Sequence, residues 1–137
     1  MNEINEFRGD YYFLSNFYEA PVAVYGLTYR NNEAAFQAQK TFENRKKFTT
    51  LNPSEAKKLG RRVELRHDWE SIKEDIMYNI VLCKFEQNDD LRQKLINTGD
   101  THLEEGNTWG DKIWGTVNGE GQNKLGKILM RVREELR

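Results

Sequence analysis

The pattern of apolar and polar positions divides the chain into a short extended part and a longer helical part. Tyr11-Tyr12-Phe13-Leu14, Val22-Ala23-Val24-Tyr25 and Leu27-Thr28-Tyr29 read as short extended pieces, and the β-branched and aromatic residues flanking Gly26 predict a hairpin. Asn31 or Asn32 is placed to cap a helix that includes Glu33 and runs to about Phe42. A short helix follows, with Asn52 as cap, Pro53 at its first position and Gly60 just past its end. Asp68 caps the longest helix, about Trp69 to Glu86, whose Ile72, Ile76, Met77, Ile80 and Val81 form a core stripe. Another helix runs from Asp89 or Asp90 to Asn97 and stops at Gly99.

Between Thr101 and Gly121 the helical period disappears, and five glycines make this the most turn-rich stretch. Trp109-Gly110-Asp111 and Ile113-Trp114-Gly115-Thr116-Val117 read there as loop and short strand, the kind of segment that carries sites on a rigid scaffold. The last helix starts after Asn123 and aligns Leu125, Ile128, Leu129, Val132 and Leu136 on one stripe. The pattern therefore predicts a mainly α protein, a single compact domain over residues 1–137 with about five helices and a small β hairpin or strand element.

One stretch of the first helix carries candidate chemistry. In Asn32-Glu33-Ala34-Ala35-Phe36-Gln37-Ala38-Gln39-Lys40, the residues Glu33, Gln37 and Lys40 recur at i, i+4 and i+7, which stacks a carboxylate, an amide and an ammonium along one helix face. Small apolar neighbours allow that face to sit in a cleft, where a carboxylate beside a lysine supplies parts for acid, base or nucleophilic work. In bulk water the same line is a solvated face with a Glu–Lys pair. Spacing alone leaves both readings open.

The same residues belong to a longer pattern. Phe13-Leu14-Ser15-Asn16-Phe17-Tyr18 and Glu33-xxx-Gln37-xx-Lys40 are followed by Leu59-Gly60-Arg61, Asp68-Trp69, Met77, Lys84-Phe85-xx-Asn88, Thr98-Gly99, Leu103-x-Glu105, Asp111-xx-Trp114-Gly115 and Gly121-x-Asn123-x-Leu125-Gly126-xx-Leu129-Met130. In this order, over roughly residues 7 to 136, the chain resembles the NADAR (YbiA-like) family of N-glycosidases. The resemblance implies the same mainly α fold and hydrolysis of an N-glycosidic bond to a phosphorylated ribose. For some members the substrate is ADP-ribose on guanine in nucleic acid, and for others an early riboflavin-pathway intermediate. The chain departs from family habit at Ala34-Ala35, where bulkier aromatic residues are common.

Composition narrows the setting. The 137 residues are 37% hydrophobic and 31% charged, with mean hydropathy −0.87, and 16 aromatic residues spread along the chain argue against disorder. No run approaches the roughly 20 apolar residues of a membrane span, and Met1-Asn2-Glu3-Ile4-Asn5-Glu6 lacks the layout of a signal peptide. The single cysteine, Cys83, sits in the apolar run Ile80–Cys83 and reads as a buried structural thiol, which points to the cytoplasm. Two distant histidines, His67 and His102, both read as surface residues, and one cysteine gives no zinc spacing. No Walker or Rossmann phosphate loop is present, so neither metal nor cofactor is expected.

Net charge is −1, yet Lys40 to Arg66 holds nine basic residues against three acids, or +6, which leaves −7 for the remainder. A near-neutral total thus hides a basic segment suited to phosphate, with Arg61, Arg62 and Arg66 able to grip it bidentately.

Breaking an N-glycosidic bond builds positive charge on the ribose C1′ and negative charge on the leaving nitrogen, so the site needs a carboxylate near the sugar and a proton source near the base. Glu33 and Asp111 are the expected pair, with Glu105 in reserve through the family's Leu-x-Glu. Lys40 is either a nucleophile that holds the opened sugar as a Schiff base or, more simply, a phosphate ligand beside Arg61. Among Phe17, Tyr18, Trp69, Trp109 and Trp114, about two are expected to stack on the substrate's heterocycle, Trp114 foremost. Asn16 and Gln37 are candidate amide donors to ribose hydroxyls or the base edge. The expected partner is an ADP-ribosylated guanine nucleotide or nucleic acid, with a small phosphoribosyl metabolite as the alternative and a non-catalytic ADP-ribose reader as a second one.

Overall fold

The structure, a computed structural model, describes residues 3–137, so the first two residues of the N-terminal segment read above lie outside it. The elements follow in the order β1 (Glu3–Ile4), a 3₁₀ turn (Gly9–Leu14), β2 (Glu19–Val24), β3 (Leu27–Asn31), α1 (Asn32–Ala38), a second 3₁₀ turn (Arg45–Thr50), α2 (Pro53–Gly60), α3 (Trp69–Gln87), α4 (Asp89–Asn97), β4 (His102–Leu103) and α5 (Lys124–Leu136). The protein is mainly α, with five α-helices and a hairpin among the described residues. They group into two compact units, residues 16–88 and the chain's two ends, up to Ser15 and from Asp89 onward.

In the first unit β2 and β3 pair antiparallel, with Val22 opposite Tyr29 and Val24 opposite Leu27. The two residues between them, Tyr25 and Gly26, have φ of 51° and 87°, as a two-residue turn that follows the twist of the strands requires. Ala20, Val22 and Val24 alternate inward, and β2 packs on α3. Asn31 ends β3 and caps α1, its side-chain oxygen accepting the Ala34 N–H at 2.7 Å. Ala34, Ala35, Phe36 and Ala38 are buried, and the Phe36 ring lies 5.0 Å from that of Trp69 at the start of α3. Along α3, Ile76, Met77, Ile80, Val81 and Phe85 are buried, while Ile72 is only half-buried.

Four local expectations change. Helix α1 stops at Ala38 instead of Phe42, because the next amides bond three residues back (Gln39 to Phe36, Lys40 to Gln37) and the Gln39 side chain donates to the Ala35 carbonyl. Gly60 is the last residue of α2, inside it, where Asn52 and Glu55 complete a reciprocal capping box. Asp68 precedes α3 but makes no side-chain cap; its carboxylate binds Arg66 instead, at 2.7 and 3.0 Å. Cys83 is half-buried, and desolvation raises its thiol pKa.

In the second unit β1 and β4 pair in parallel, Glu3 with His102 and Ile4 with Leu103. Tyr11–Leu14, expected to be extended, lies in the first 3₁₀ turn: Tyr11 and Ser15 donate three residues back, and the adjacent side chains of Phe13 and Leu14 are both buried, which an alternating strand cannot do. The strand expected near Ile113–Val117 reduces to two isolated bridges, Gly106 with Thr116 and Val117 with Glu120. Helix α5 presents Leu125, Leu129, Val132 and Leu136 to the interior, and Arg133, also buried, donates to the Thr101 carbonyl and the Thr98 hydroxyl. Ile128, the remaining member of the expected stripe, is half-buried.

Candidate functional site

The first unit gathers most of the predicted site around α1. Glu33 lies in the first turn of the helix, and its own N–H donates to the Asn16 carbonyl at 3.0 Å. One turn later Gln37 donates from Nε2 to Glu33 Oε2 at 2.6 Å, a charge-assisted bond that fixes the carboxylate's rotamer. This geometry leaves Gln37 Oε1 buried and without a hydrogen-bond donor among the described residues. Gly60 makes room for it, since a Cβ there would lie 2.0 Å from that oxygen. Asn32 is similar: Nδ2 faces Asn16 Oδ1 at 3.4 Å and Oδ1 has no donor. Asn16 itself is buried and points Nδ2 at the Met77 sulfur, 3.5 Å away. Two orphaned acceptors on α1 among the described residues are uncommon, since each costs about 1–3 kcal/mol, and each can be completed by a polar ligand.

Lys40 stands one residue beyond the helix cap, not on the helical line that the spacing predicted. Its carbonyl accepts the Arg66 N–H at 2.8 Å, which anchors the turn. Burial lowers the pKa of its ammonium most; Arg61, Lys57 and Lys73 push in the same direction, and Glu33 alone among the groups acting on it opposes them. The charges acting on Lys40 are therefore one carboxylate and three cations. Arg61 was predicted here. Lys57 counted only as part of the basic segment, and Lys73, on α3, had no signal. Lys57 also holds its ammonium 6.0 Å from the centre of the half-buried Phe17 ring. Trp69, expected as a stacking surface, is 5% exposed and tilted against Phe36, so it holds α1 on α3 as a core residue.

The same unit buries a second lysine. Lys84 is enclosed on α3, 5.6 Å from the Tyr18 ring and 5.1 Å from that of Phe85, and desolvation lowers its pKa to about 7.

The second unit holds Asp111, Trp114 and Glu105 in its glycine-rich loop. Asp111 Oδ1 accepts the N–H groups of Ile113 at 3.0 Å and Trp114 at 2.9 Å, so one of its oxygens shapes the turn that carries Trp114. Asn107 clasps the loop, its Nδ2 facing the carbonyls of Glu105, Asp111 and Thr116 while Oδ1 accepts the Asp111 N–H. Asn123 fastens the other side, accepting from Glu105 N–H and donating to the Leu103 carbonyl. Glu105 and Trp114 are half-buried, whereas Trp109 is exposed. Asn107 was not singled out by sequence, and Asn123 stood in the family pattern without a role of its own. His67 and His102 are exposed, as expected. Among the described residues no group of three or more His, Cys, Asp or Glu side chains is arranged to hold a metal, and no helix is long and apolar enough to cross a membrane.

Residues 4–137 match the NADAR domain family. N-glycosidase YbiA of Shigella flexneri is 39% identical over 133 residues, which covers 93% of this chain and 82% of that protein. A riboflavin biosynthesis protein of Vibrio vulnificus, VVA0006, is 41% identical over 130 residues; the match covers 90% of this chain and 35% of that longer protein. In three dimensions, the NMR structure of the E. coli protein YbiA aligns with a TM-score of 0.85 at 37% identity, covering 98% of this chain and 83% of that one.

Proposed function

We propose, from the premise that the chain belongs to the NADAR domain family and is an N-glycosidase, that it releases ADP-ribose from ADP-ribosylated guanine in nucleic acid. The observation that carries this reading is the set of cations around Lys40. Arg61, Lys57 and Lys73 act on one amine, more positive charge than a single phosphate requires and well suited to a diphosphate. Around it, the segment from Lys40 to Arg66 carries +6.

Glu33 is then the carboxylate beside the sugar. As the C1′–N bond breaks, it stabilises the charge that develops on C1′; a water oxygen bonds to C1′, one water proton leaves through the carboxylate, and the leaving guanine nitrogen gains a proton. Gln37 keeps Glu33 in place, and the unpaired Oε1 of Gln37 and Oδ1 of Asn32 accept from ribose hydroxyls or base N–H groups. In an alternative route to the same products, the neutral Lys40 amine bonds to C1′ as the C1′–N bond breaks and guanine leaves with a proton; the C1′–O4′ bond then opens, O4′ taking the proton the amine gives up, and water hydrolyses the resulting Schiff base to ADP-ribose and free lysine. Asp111 and Trp114 belong to the other compact unit and are given no role in this step.

A second reading rests on the Vibrio relative, which is named for riboflavin biosynthesis: a phosphoribosyl-amine intermediate of that pathway, with one phosphate, is the substrate. Purified protein incubated with an ADP-ribosyl-guanine oligonucleotide and, separately, with the phosphoribosyl-amine separates the two. Release of ADP-ribose from the first supports the reading. Release of ring amine from the second alone overturns it.

A further inference from the structure

We propose that Phe42, Leu65 and the guanidinium planes of Arg45 and Arg66 form a stacking subsite for the base of a nucleotide adjacent to the one being cleaved, on a single-stranded nucleic acid. The inference rests on nucleic acid being the substrate. Phe42 is 66% exposed and Leu65 52% exposed, and both belong to one surface. Phe42 is the most exposed of the large apolar side chains described, and a bare aromatic ring on a surface this charged needs a reason.

The ring is flanked by cations held still for it. Arg66 lies 4.3 Å from the ring centre and Arg45 5.6 Å. Arg66 is oriented by both oxygens of Asp68 and by the Gln39 carbonyl, Arg45 by the Thr41 carbonyl at 2.7 Å. Two oriented guanidinium planes around an exposed ring make a flat, positively charged surface, the combination that binds nucleobases without regard to most of their identity. Hydrophobic peptide partners are poorly served by it.

A cavity of about 350 Å³ opens at this ring, with Glu43, Glu64 and His67 as its other polar walls. Carboxylates there repel phosphate but accept from the exocyclic amines of guanine, adenine and cytosine, so the base belongs in this cavity and its phosphate outside it. A neighbouring cavity of about 230 Å³ shares Thr41, Glu43 and Glu64 and adds Lys47 and Arg62, which stand where a backbone phosphate is needed. The platform is also bolted to the site: Phe42 follows Lys40 by two residues, and the Arg66 N–H donates to the Lys40 carbonyl. A strand whose ADP-ribosyl group is held around Lys40 thus meets Phe42 with a neighbouring base.

The test uses Phe42→Ala and Phe42→Trp, substitutions at an exposed position. With Phe42→Ala, kcat/KM on a short ADP-ribosylated oligonucleotide falls about tenfold, near the low end of one base–aromatic stack, while the ADP-ribosylated mononucleotide is cleaved as before. Replacing the neighbouring nucleotides by abasic ones costs the native protein the same factor. A change of less than twofold on the oligonucleotide, with native turnover intact, overturns the platform and leaves the proposed substrate standing. Turnover-independent evidence comes from Phe42→Trp, whose indole is quenched on titration with a single-stranded oligonucleotide and not with its abasic counterpart. Absence of that quenching overturns the platform even if no ADP-ribosylated substrate is cleaved, whereas quenching without cleavage keeps it and removes the substrate assignment.

Discussion

Replacing Gly60 by alanine tests whether α2 was shaped to hold Glu33. Gly60 is helical and has no positive φ, so by propensity alone alanine stabilises α2 by up to about 1 kcal/mol. Opposing this, the new Cβ lies 2.0 Å from Gln37 Oε1, 2.7 Å from its Cδ and 3.1 Å from its Cβ. Rotating the amide away relieves the first two and not the third, and it breaks the 2.6 Å bond to Glu33. Loss of a hydrogen bond to a charged group costs about 1.5–3 kcal/mol, and overpacking adds about 1–3 kcal/mol. The net expectation is a loss of about 2 kcal/mol after the helix gain, or a fall in Tm of about 7 °C for a chain of this size, read by calorimetry. Turnover should fall about 100-fold, because the carboxylate is no longer aimed. Gly60→Ala combined with Gln37→Ala removes the two severe contacts and leaves the 3.1 Å one to Cβ, so Gly60→Ala should cost the Gln37→Ala protein less than it costs the native one. A Gly60→Ala protein that melts at or above the native temperature with native turnover refutes the reasoning, as does strict additivity in the double variant.

The remaining predictions use the same site. Glu33→Gln should keep the Gln37 contact and the melting temperature while turnover falls by about 10³-fold or more; a rate within a few-fold of native makes Glu33 a structural residue. Asp111→Asn keeps an oxygen for the two amides that Oδ1 accepts, so it loses activity only if the carboxylate is chemical, whereas Asp111→Ala also loses about 2 kcal/mol of loop stability, measurable by denaturation. Borohydride added during turnover leaves a sugar-sized mass on the protein if Lys40 forms a Schiff base, and Lys40→Arg retains partial activity only if its role is electrostatic. Lys84 has a folded pKa of about 7 against an unfolded 10.5, so the unfolded chain binds more protons between these values and stability should rise from about pH 7 to pH 10. In Lys84→Met most of that rise should vanish from urea titrations; an unchanged slope means the ammonium is not desolvated.

What the sequence disclosed was local, and what it hid was set by distant partners. Asn52-Pro53 announced α2 because a cap and a first-turn proline act within a few residues. The hairpin was legible for the same reason, its turn being two residues that tolerate positive φ. The end of α1 was not, since it depends on a buried Gln39 side chain and on an Arg66 N–H that arrives from 26 residues away. Asp68 had the right residue type for a cap and was taken by Arg66 instead. Glu33, Gln37 and Arg61 fell where spacing and resemblance suggested, because helical period and a basic run are readable one residue at a time. Lys73 on α3 and the Asn107 clasp are products of packing, and no pattern in their own neighbourhood distinguishes them.

The early end of α1 changes how Lys40 is understood. On a continued helix it would stand two turns from Glu33 on the same face, about 10 Å along the axis. Turned off the helix and partly buried, it meets more positive than negative charge, and its pKa moves down. Burial is the largest cause, whereas the contributions of Arg61, Lys57 and Lys73 shrink wherever those cations meet an anion, as Lys73 already meets Glu70 at 2.8 Å. A diphosphate seated among them would cancel that part and return Lys40 toward its charged form, which favours phosphate binding over attack on C1′. If the phosphates instead engage only the outer cations, desolvation continues to hold the Lys40 pKa below its ordinary value. The pH dependence of kcat against that of kcat/KM separates the cases: an electrostatic Lys40 has a higher pKa in the substrate complex than in the free enzyme, so the alkaline limb of kcat lies above that of kcat/KM. A nucleophilic Lys40 must lose its proton to react, which places a rising limb in both profiles near its lowered pKa.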